Sequence, residues 1–330
     1  MDNIFLPTAT DVRSAALRIE GRAYQTPLLE SPLLNDRLGC RLLVKAENLQ
    51  RTGSFKFRGA YNRVSRIPPE HHKGGVVAYS SGNHAQGVAA ASQMLGLPTL
   101  IVMPKDAPKI KVANTRAYGS EIVFYDRLEE NREQIGEKLV QDRNATLVRP
   151  YDDLLIIAGQ GTVGLEIAQQ ARVCEADLDA LLVPCGGGGL ISGTVLAMTS
   201  ESPKTDVYAV EPVGFDDTMR SLKAGQKVAN ETTATSICDS LLTPEPGELT
   251  FQINKRLLKG GLVVSDEMVV EAMRIAFEYL KLVVEPGGAV ALAAILSGQY
   301  SAHGKTVAVV LSGGNVDGDA YAKALAINST

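Results

Sequence analysis

The sequence predicts an α/β fold built on mostly parallel sheets, and three observations support this prediction. Short runs rich in β-branched residues alternate along the chain with longer segments of helical periodicity. Several of these runs are apolar at nearly every position, as strands are when helices cover both faces of a parallel sheet. Glycine-rich loops directly follow three of them. Alternation of this kind is typical of parallel strands joined by right-handed helical crossovers.

Six runs have the length and composition of buried strands. In chain order they are 76–79, 99–102, 121–124, 181–183, 207–210 and 306–310. Four longer segments are predicted as helices, namely 83–95, 109–118, 128–140 and 267–282. The many charges between Arg127 and Lys138 indicate the solvated face of a helix rather than a binding tail.

Composition and charge narrow the classes of protein that the chain can belong to. Its 330 residues suffice for two domains, at roughly 150 residues each. Hydrophobic residues make up 45% and charged residues 21% of the chain, which excludes a largely disordered protein. The formal net charge of −4 gives no basic excess for a nucleic acid or a membrane surface. We therefore expect a small-molecule ligand.

The cysteines and the apolar segments predict a cytoplasmic protein without a membrane span. The four cysteines are far apart and show no C-x-x-C spacing, which favours a reducing compartment. The first ten residues lack the basic and apolar regions of a signal peptide. Residues 180–200 carry no charge, but Pro184 and five glycines in that segment are incompatible with a membrane-spanning helix.

The glycine-rich loops predict one ligand site, because ligands of open parallel sheets bind at the carboxyl ends of the strands. Residues 80–84, here called the serine loop, follow the first predicted strand. Residues 186–189, four consecutive glycines here called the glycine loop, follow the fourth, and residues 312–315 follow the last. Backbone N–H groups of a glycine loop that opens a helix can close on phosphate oxygens. The alternative is a flexible turn.

The sequence does not support either of two common nucleotide-binding motifs. The P-loop pattern is absent from the sequence. A G-x-G-x-x-G pattern occurs at Gly159, Gly161 and Gly164, but the next predicted strand does not end in the acidic residue that a dinucleotide site needs. We therefore expect these glycines to serve the close packing of a helix entry, and we disfavour an NAD(P)-dependent oxidoreductase.

Lys56 is a candidate reactive amine. It lies between Phe55 and Phe57, and Arg58 follows two positions later. Apolar surroundings and a neighbouring positive charge both lower the pKa of an amine and favour its nucleophilic, neutral form. From composition alone, an ordinary solvated lysine of a helix remains the alternative.

Four motifs in this order resemble the fold-type II pyridoxal-phosphate (PLP) enzymes, whose fold is that of the tryptophan synthase β chain. They are residues 54–60, 80–87, 186–189 and 312–315, and the resemblance covers nearly the whole chain. The subgroup is similar to the serine/threonine dehydratases and serine racemase. The resemblance implies a large PLP-binding domain of residues 1–52 and 150–330, a small domain of residues 53–149 and a homodimer. Each domain would hold a mostly parallel, twisted sheet flanked by helices.

The resemblance also implies roles for individual residues. Lys56 would carry the cofactor as a Schiff base, with Phe55 near the cofactor ring. The phosphate would be held by Gly186, Gly187, Gly188 and Gly189. Asn83 would bond the 3-hydroxyl group of the ring, and Ser312 would face its pyridine nitrogen. The substrate would be held by Ser80, Ser81, Gly82, Asn83 and His84, with Arg132 and Thr243 as further contacts.

The implied reaction is the dehydration of a β-hydroxy amino acid. Lys56 would remove the α-proton as a general base. The neutral hydroxyl of Ser312 stabilises a pyridinium less well than an acid would, which favours loss of the β-substituent over transamination. L-threonine or L-serine would thus give a 2-oxo acid and ammonia. The alternatives are a 3-hydroxyaspartate dehydratase, for which Arg132 is a candidate cation, and a serine racemase with dehydratase side activity, in which Ser81 is the base on the opposite face.

Two segments near these motifs bear on the choice among substrates. Residues 151–153 look more like the dehydratases than the racemase. Residues 238–240 read Cys-Asp-Ser where relatives commonly have Ala-Asp-Gly, which leaves the substrate side chain open. A non-catalytic amino-acid-binding protein would have little use for both Lys56 and a phosphate cradle.

A divalent-cation site is the last feature that the resemblance implies. Its ligands would be Glu211, the backbone carbonyl of Phe215 and Asp217. Hard oxygen ligands of this kind suit Mg²⁺, Ca²⁺ or Mn²⁺. By spacing alone the segment is an ordinary acidic loop.

Overall fold

The computed structural model describes residues 5–127 and 129–326. The strands are β1 (Leu28–Glu30), β2 (Arg41–Ala46), β3 (Val76–Tyr79), β4 (Thr99–Pro104), β5 (Glu121–Tyr125), β6 (Thr146–Leu147), β7 (Ala180–Pro184), β8 (Asp206–Pro212), β9 (Gly260–Val264) and β10 (Thr306–Leu311). The first helices are α1 (Ala9–Ile19), α2 (Pro32–Leu38), α3 (Lys56–Val64), α4 (Asn83–Leu95), α5 (Lys109–Ala117), α6 (Arg132–Arg143) and α7 (Leu154–Val173). They are followed by α8 (Gly189–Glu201), α9 (Asp217–Ala224), α10 (Glu248–Leu257), α11 (Asp266–Ile275), α12 (Pro286–Leu296) and α13 (Gly318–Ala326).

The strands form two sheets. The larger has the order β1-β2-β10-β7-β8-β9, and only the pair β1–β2 is antiparallel. In it Val309 of β10 is paired with Val44 of β2 and Leu182 of β7. The smaller sheet has the order β5-β4-β3-β6 and is parallel throughout. The predicted α/β fold with parallel sheets is confirmed.

Most of the predicted elements are confirmed, with small differences at their ends. All six predicted strands form, and α4 has the predicted bounds. The helix predicted for 128–140 begins at Arg132, because the side chain of Asn131 accepts hydrogen bonds from the N–H groups of Glu133 and Gln134 and so caps the helix there. Leu128 lies outside the described residues. The segment predicted as one helix over 267–282 is α11 followed by a π-helical turn, Ala276–Leu280.

The larger sheet is buried on both faces because its strands alternate between two apolar clusters. Val307, Val309 and Leu311 pack with α12 on one side. Ala308 and Val310 pack with residues of α7 and α8 on the other. Burying each large apolar side chain stabilises the fold by about 1.5–3 kcal/mol. The two covered faces leave the ends of the strands as the place for a ligand.

The glycines of the G-x-G-x-x-G pattern lie inside α7 and do not follow a strand. A Cβ atom on Gly159 would lie 2.6 Å from the Cα of Gly59, and one on Gly161 would lie 2.6 Å from the carbonyl oxygen of Gly193. Close packing is therefore confirmed as their purpose. The expected location was wrong, since the contacts are in the helix interior and not at its entry.

Arg58 has a structural role that differs from the one expected. It is fully buried, and its guanidinium forms salt bridges of 2.7 Å with Glu47 and 2.6 Å with Glu166. Burial opposes the positive charge, but the two carboxylates outweigh it and raise the pKa of Arg58. The expectation that Arg58 lowers the pKa of Lys56 was wrong, because these carboxylates neutralise its charge.

Within the described residues, no helix has the length and apolar character needed to cross a membrane. The uncharged segment 180–200 consists of β7, the glycine loop and most of α8. All four cysteines are free thiols, as the absence of paired spacing predicted.

Candidate active site

Residues from both sheets line one cleft at the carboxyl ends of the strands. The serine loop follows β3, the glycine loop follows β7, and Ser312 follows β10. The space free of protein atoms in and around the cleft amounts to about 920 Å³, which includes open solvent at its mouth. Its lining contains nearly all the predicted cofactor- and substrate-binding residues: Phe55, Lys56, Ser80, Ser81, Asn83, His84, Arg132, Gly186, Gly187, Gly188, Gly189, Thr243 and Ser312. Gly82 lies beside it, where an added Cβ atom would lie 2.0 Å from Cδ of Lys111.

Lys56, the first residue of α3, is half-buried in this cleft. Its Nζ donates a hydrogen bond of 2.9 Å to the carbonyl oxygen of Pro150 and lies 5.2 Å from the ring centre of Phe55. Burial lowers the pKa of Lys56 to about 8, against the opposing effect of the Glu285 carboxylate. The predicted lowering is confirmed, and burial in the cleft is its cause.

The glycine loop leads into α8 with no side chain capping the helix. A Cβ atom on Gly187 would lie 2.5 Å from the ring of Tyr151, and Gly188 has a φ of +90°, which a side chain would strain. Thr250 Oγ1 donates a hydrogen bond of 2.7 Å to the carbonyl oxygen of Gly187 and supports the loop from behind. The bare N-terminus of α8 can thus receive a phosphate, and the site fits a phosphate-bearing cofactor.

The serine loop leads into α4 in a similar way. Gly82 precedes the helix in an extended conformation and provides no side-chain cap. Its N–H group donates a hydrogen bond of 3.0 Å to Ser80 Oγ, which stabilises the turn. A second helix N-terminus therefore lies at the cleft, and its dipole favours a small anion such as a carboxylate.

Asn83 is held from both ends of its amide. Its Nδ2 donates a hydrogen bond to Glu285 Oε1, and its Oδ1 accepts one of 2.9 Å from Asn315 Nδ2. A Cβ atom on Gly313 would lie 2.2 Å from Glu285 Oε1, so this glycine provides the space for the carboxylate. The amide of Asn83 is therefore fixed in orientation before any ligand binds.

His84 is buried and neutral. Burial and the nearby charge of Lys56 lower the pKa of His84 to about 3. Its Nε2 lies 3.0 Å from the carbonyl oxygen of Val148, which makes Nε2 the protonated nitrogen. His84 therefore stays neutral and does not exchange protons at neutral pH.

An ionic network on the cleft wall was missed by the sequence analysis. Lys111 is buried, and its Nζ lies 2.9 Å from Glu285 Oε2 and 3.2 Å from Asp239 Oδ2. Ser81 Oγ donates a hydrogen bond of 3.3 Å to the same Asp239 oxygen. Arg127 Nη2 lies 3.5 Å from Asp239 Oδ1. The only signal in the sequence was the unusual segment 238–240, which drew attention to the neighbourhood of Asp239 without indicating its partners.

Two aromatic residues, Tyr79 and Tyr151, also line the cleft. The guanidinium of Arg132 lies 5.4 Å from the ring centre of Tyr79. Its described ion pair, with Glu133, is long at 3.9 Å. Burial raises the pKa of Tyr151 to about 12, so its hydroxyl stays protonated. Arg132 thus keeps its charge available to the cleft.

The predicted cation ligands lie together at the end of β8, away from this cleft. Both oxygens of Glu211 accept hydrogen bonds of 2.8 Å, from the N–H groups of Thr218 and Met219. Asp217 Oδ1 accepts one of 2.6 Å from Asn230, and its Oδ2 is buried without a partner. Burial raises the pKa of Asp217 to about 7 and, with the charge of Asp217, raises the pKa of Glu211 well above its usual value.

The cation site has a mixed outcome. In the part of the chain that the structure describes, no group of three or more histidine, cysteine, aspartate or glutamate side chains can hold a metal ion. The predicted site would thus have two carboxylates and would depend on the carbonyl of Phe215 for a third ligand. The unpartnered Asp217 oxygen fits a hard cation, since a positive charge there would offset the burial of both carboxylates.

A half-buried lysine of low pKa shares one cleft with two helix N-termini that lack a capping side chain, an arrangement that fits an enzyme with a phosphate-bearing cofactor. Residues 19–313 match the family described as pyridoxal-phosphate dependent enzymes, and the chain belongs to that family. The resemblance on which the sequence analysis relied is therefore confirmed.

Individual relatives are similar over almost their whole length. The chain is 46% identical to an L-threo-3-hydroxyaspartate ammonia-lyase of Pseudomonas sp, over 96% of this chain and 97% of the relative. It is 40% identical to a serine racemase of Schizosaccharomyces pombe, over 97% and 98%. Among solved structures, the threonine deaminase of T.th. has 45% identity and a TM-score of 0.89, covering 94% of this chain and 99% of that one.

Proposed function

We propose that this protein is an ammonia-lyase that converts a β-hydroxy amino acid into a 2-oxo acid and ammonia. The observation that carries the proposal is the position of the low-pKa amine of Lys56 between a phosphate cradle and a carboxylate site in one cleft. The relatives named as ammonia-lyase and threonine deaminase support it, since both remove an amino group.

The cofactor would be bound by groups from three loops. The glycine loop and the N-terminus of α8 would hold its phosphate, and Phe55, Asn83 and Ser312 would contact its ring. Pyridoxal phosphate, when bound, supplies the electron sink that acidifies the α-proton of an amino acid. The remaining steps fall to side chains of this chain.

Lys56 is proposed as the general base that takes the α-proton. Its pKa of about 8 leaves a substantial neutral fraction at physiological pH, which a base requires. The serine loop would bind the α-carboxylate at the N-terminus of α4, with His84 neutral beside it. Arg132 and Thr243 would contact the substrate side chain. This arrangement would hold the α-proton toward Lys56 and keep the β-hydroxyl free to leave.

Racemisation is a second candidate function, and Ser81 favours it. Its Oγ donates a hydrogen bond to Asp239, which offers the proton of Ser81 an acceptor inside the cleft. Ser81→Ala should then reduce racemisation of L-serine more than its elimination, as followed by chiral chromatography beside ammonia release. Equal losses in both reactions would exclude Ser81 as the second base.

Further parts of the proposal concern the whole protein. We propose a divalent cation, Mg²⁺, Ca²⁺ or Mn²⁺, at Glu211, Phe215 and Asp217, supported by the buried free oxygen of Asp217. The division into residues 1–52 with 150–330 and residues 53–149 is supported by the strand content of the two sheets. A cytoplasmic homodimer stays a prediction.

The proposed activity is tested with a panel of substrates. The purified protein with pyridoxal phosphate is incubated with L-serine, L-threonine and L-threo-3-hydroxyaspartate, and 2-oxo acid and ammonia are quantified separately. We expect equal amounts of both products from at least one substrate. Release of neither product from any of the three would contradict the proposal.

A further inference from the structure

We propose that Arg127 is a specificity-determining residue that binds a second carboxylate, carried on the same carbon as the leaving hydroxyl group. This inference rests on the proposed function, and it names the substrate class as β-hydroxy dicarboxylic amino acids. Nothing in the sequence marked Arg127, which the charge pattern placed on a solvated helix face. The structure instead has it on the wall of the cleft.

The cations of the cleft leave two candidates for binding an anionic substrate, Arg127 and Arg132. Besides Lys56, its lining contains the cations Lys111, Arg127 and Arg132. The side chain of Lys111 is only 2% exposed and is enclosed between the carboxylates of Glu285 and Asp239, so it is not accessible to a substrate anion. Arg127 lies in the connection between β5 and α6 and Arg132 is the first residue of α6, and their side chains keep 33% and 25% of their surface exposed. Both are therefore accessible to an anionic substrate.

Arg127 and the proposed α-carboxylate site are connected through a single side chain, that of Asp239. Ser81 of the serine loop and Arg127 contact the same carboxylate, that of Asp239, through its two different oxygens. One carboxylate thus bridges the serine loop and the guanidinium. A four-carbon dicarboxylic acid bound at the serine loop would have its second carboxylate in reach of Arg127.

The contacts of Arg127 leave its guanidinium able to change partner. Its Nη2 lies 3.5 Å from Asp239 Oδ1, at the outer limit of a hydrogen bond. Its Nε donates to Asp106 at 2.8 Å, but the side chain of Asp106 is 67% exposed. Exposed salt bridges of this kind contribute little to stability, so holding Asp106 does not account for an arginine on the cleft wall. A substrate carboxylate could take a paired hydrogen bond from the same planar group.

The test is a change in selectivity. Arg127→Gln and the control Arg143→Gln are compared with the unsubstituted enzyme, all loaded with cofactor. Arg143, the last residue of α6, forms a similar exposed salt bridge with Glu121 of β5 and does not line the cleft. The measured quantity is kcat/KM for L-threo-3-hydroxyaspartate divided by kcat/KM for L-serine. Arg127→Gln should lower this ratio by about 10- to 100-fold, as expected for losing a charge-assisted hydrogen bond, and Arg143→Gln should not change it.

A binding measurement covers the case in which Arg127→Gln folds poorly or turns over too slowly. Succinate and butyrate have the same carbon chain but two and one carboxylates, and each is tested as a competitive inhibitor. The unsubstituted enzyme should prefer succinate, and Arg127→Lys, which keeps the charge but loses the paired geometry, should reduce that preference.

The outcomes separate this inference from the proposed function. If the enzyme releases ammonia from L-serine or L-threonine but not from L-threo-3-hydroxyaspartate, the inference is overturned while the function stands. An unchanged selectivity ratio in Arg127→Gln, or no preference for succinate, also overturns it. Release of ammonia from no substrate refutes the proposed function itself.

Discussion

Lys56 lies where a charged amine is poorly hydrated, beside the ring of Phe55 and against the carbonyl of Pro150. A buried amine gives up its proton more readily, because burial destabilises the charged form. The carboxylate of Glu285 acts in the opposite direction and limits the shift. The outcome is an amine that is partly neutral near pH 7 yet still able to carry a proton, as a group that first binds a cofactor and then acts as a base requires.

The low pKa of Lys56 predicts how the cofactor-free protein responds to pH. Only the neutral amine attacks the aldehyde of pyridoxal phosphate. The rate of cofactor uptake should therefore rise with pH up to about 8 and then level off, in line with the pKa of Lys56. Growth of the visible absorbance after mixing measures this rate.

A lysine in water gives the comparison for that experiment. Its amine would continue to gain reactivity up to a pH near its usual pKa of ~10.4. A rate that still rises steeply above pH 9.5 would show that burial does not lower the pKa of Lys56. The outcome would leave the family assignment untouched, since that rests on the match over residues 19–313.

At the scale of elements, the site is made by two helices that begin at the cleft without a capping side chain. The helices α8 and α4 follow the glycine loop and the serine loop, respectively. In each, the first N–H groups are without intrahelical partners, as at every helix start. The cleft is proposed to bind two anions, one at the N-terminus of each helix. A side chain that capped either N-terminus would compete with the anion for the same N–H groups.

Gly187→Ala should weaken cofactor binding at least tenfold. Its added methyl group would lie 2.5 Å from the ring of Tyr151, so either the ring or the loop must move. Movement of the loop would disturb the N–H groups that hold the phosphate. Fluorescence titration of the cofactor-free protein with pyridoxal phosphate measures the change.

Gly318→Ala is the matched control for that substitution. Gly318 begins α13, and an added Cβ atom there would have no neighbour within 4 Å. The control should bind the cofactor as the unsubstituted protein does. Equal affinities in all three proteins would mean that the glycine loop tolerates a side chain and is not a tight phosphate cradle.

Local sequence patterns predicted the elements that depend on local interactions. The six strands and α4 could be predicted because apolar runs and glycine-rich ends mark them within a few residues of chain. The contacts of Lys111 in α5 could not, because its partner Asp239 is 128 residues away in sequence. Asn83 and Glu285 are 202 residues apart. Such pairs arise only when the fold brings the loops together, and no periodicity records them.

Four strands, β1, β2, β6 and β9, were not among those predicted, and for β1 and β6 the reason is their length. The strand β1 has three residues and β6 has two, which is too few for a recognisable alternation of apolar and polar side chains. They form because an adjacent strand offers unpaired backbone groups at the edge of a sheet. Both lie at sheet edges, where strand formation depends on the neighbour more than on the sequence.

On the scale of the whole molecule, buried charges connect the parts of the chain that form the two sheets. Arg58 of α3 is paired with Glu47 after β2 and with Glu166 of α7. Asp317, after β10, accepts hydrogen bonds from the N–H groups of Lys109 and Ile110 at the start of α5. Breaking a buried pair is costly, so the two pairs of Arg58 hold α3 against α7, while the contacts of Asp317 are exposed hydrogen bonds.

The proposed divalent cation predicts a change in overall stability. A cation at Glu211 and Asp217 would offset the burial of two carboxylates, one of which has an oxygen without a partner. Adding Ca²⁺, Mg²⁺ or Mn²⁺ at millimolar concentration should raise the melting temperature by several degrees, and a chelator should reverse the change. Thermal unfolding followed by circular dichroism measures it.

Asp217→Asn and Asp319→Asn complete the cation experiment. The first removes the proposed ligand and should abolish the response to the cation. The second removes a carboxylate in the first turn of α13, on an exposed residue, and should retain the response. If no cation shifts the melting temperature of the unsubstituted protein, the proposal of a cation site is wrong.

We expect Lys56 to carry the cofactor in the cleft that the two sheets build together, and chemical trapping of the cofactor identifies the residue that carries it. The purified protein is loaded with pyridoxal phosphate, reduced with borohydride and digested, and the peptides are analysed by mass spectrometry. We predict one reduced pyridoxyl-phosphate group, on the amine of Lys56, and neither this adduct nor the visible absorbance in Lys56→Ala. A label on another lysine, or an unchanged spectrum in Lys56→Ala, would contradict the account.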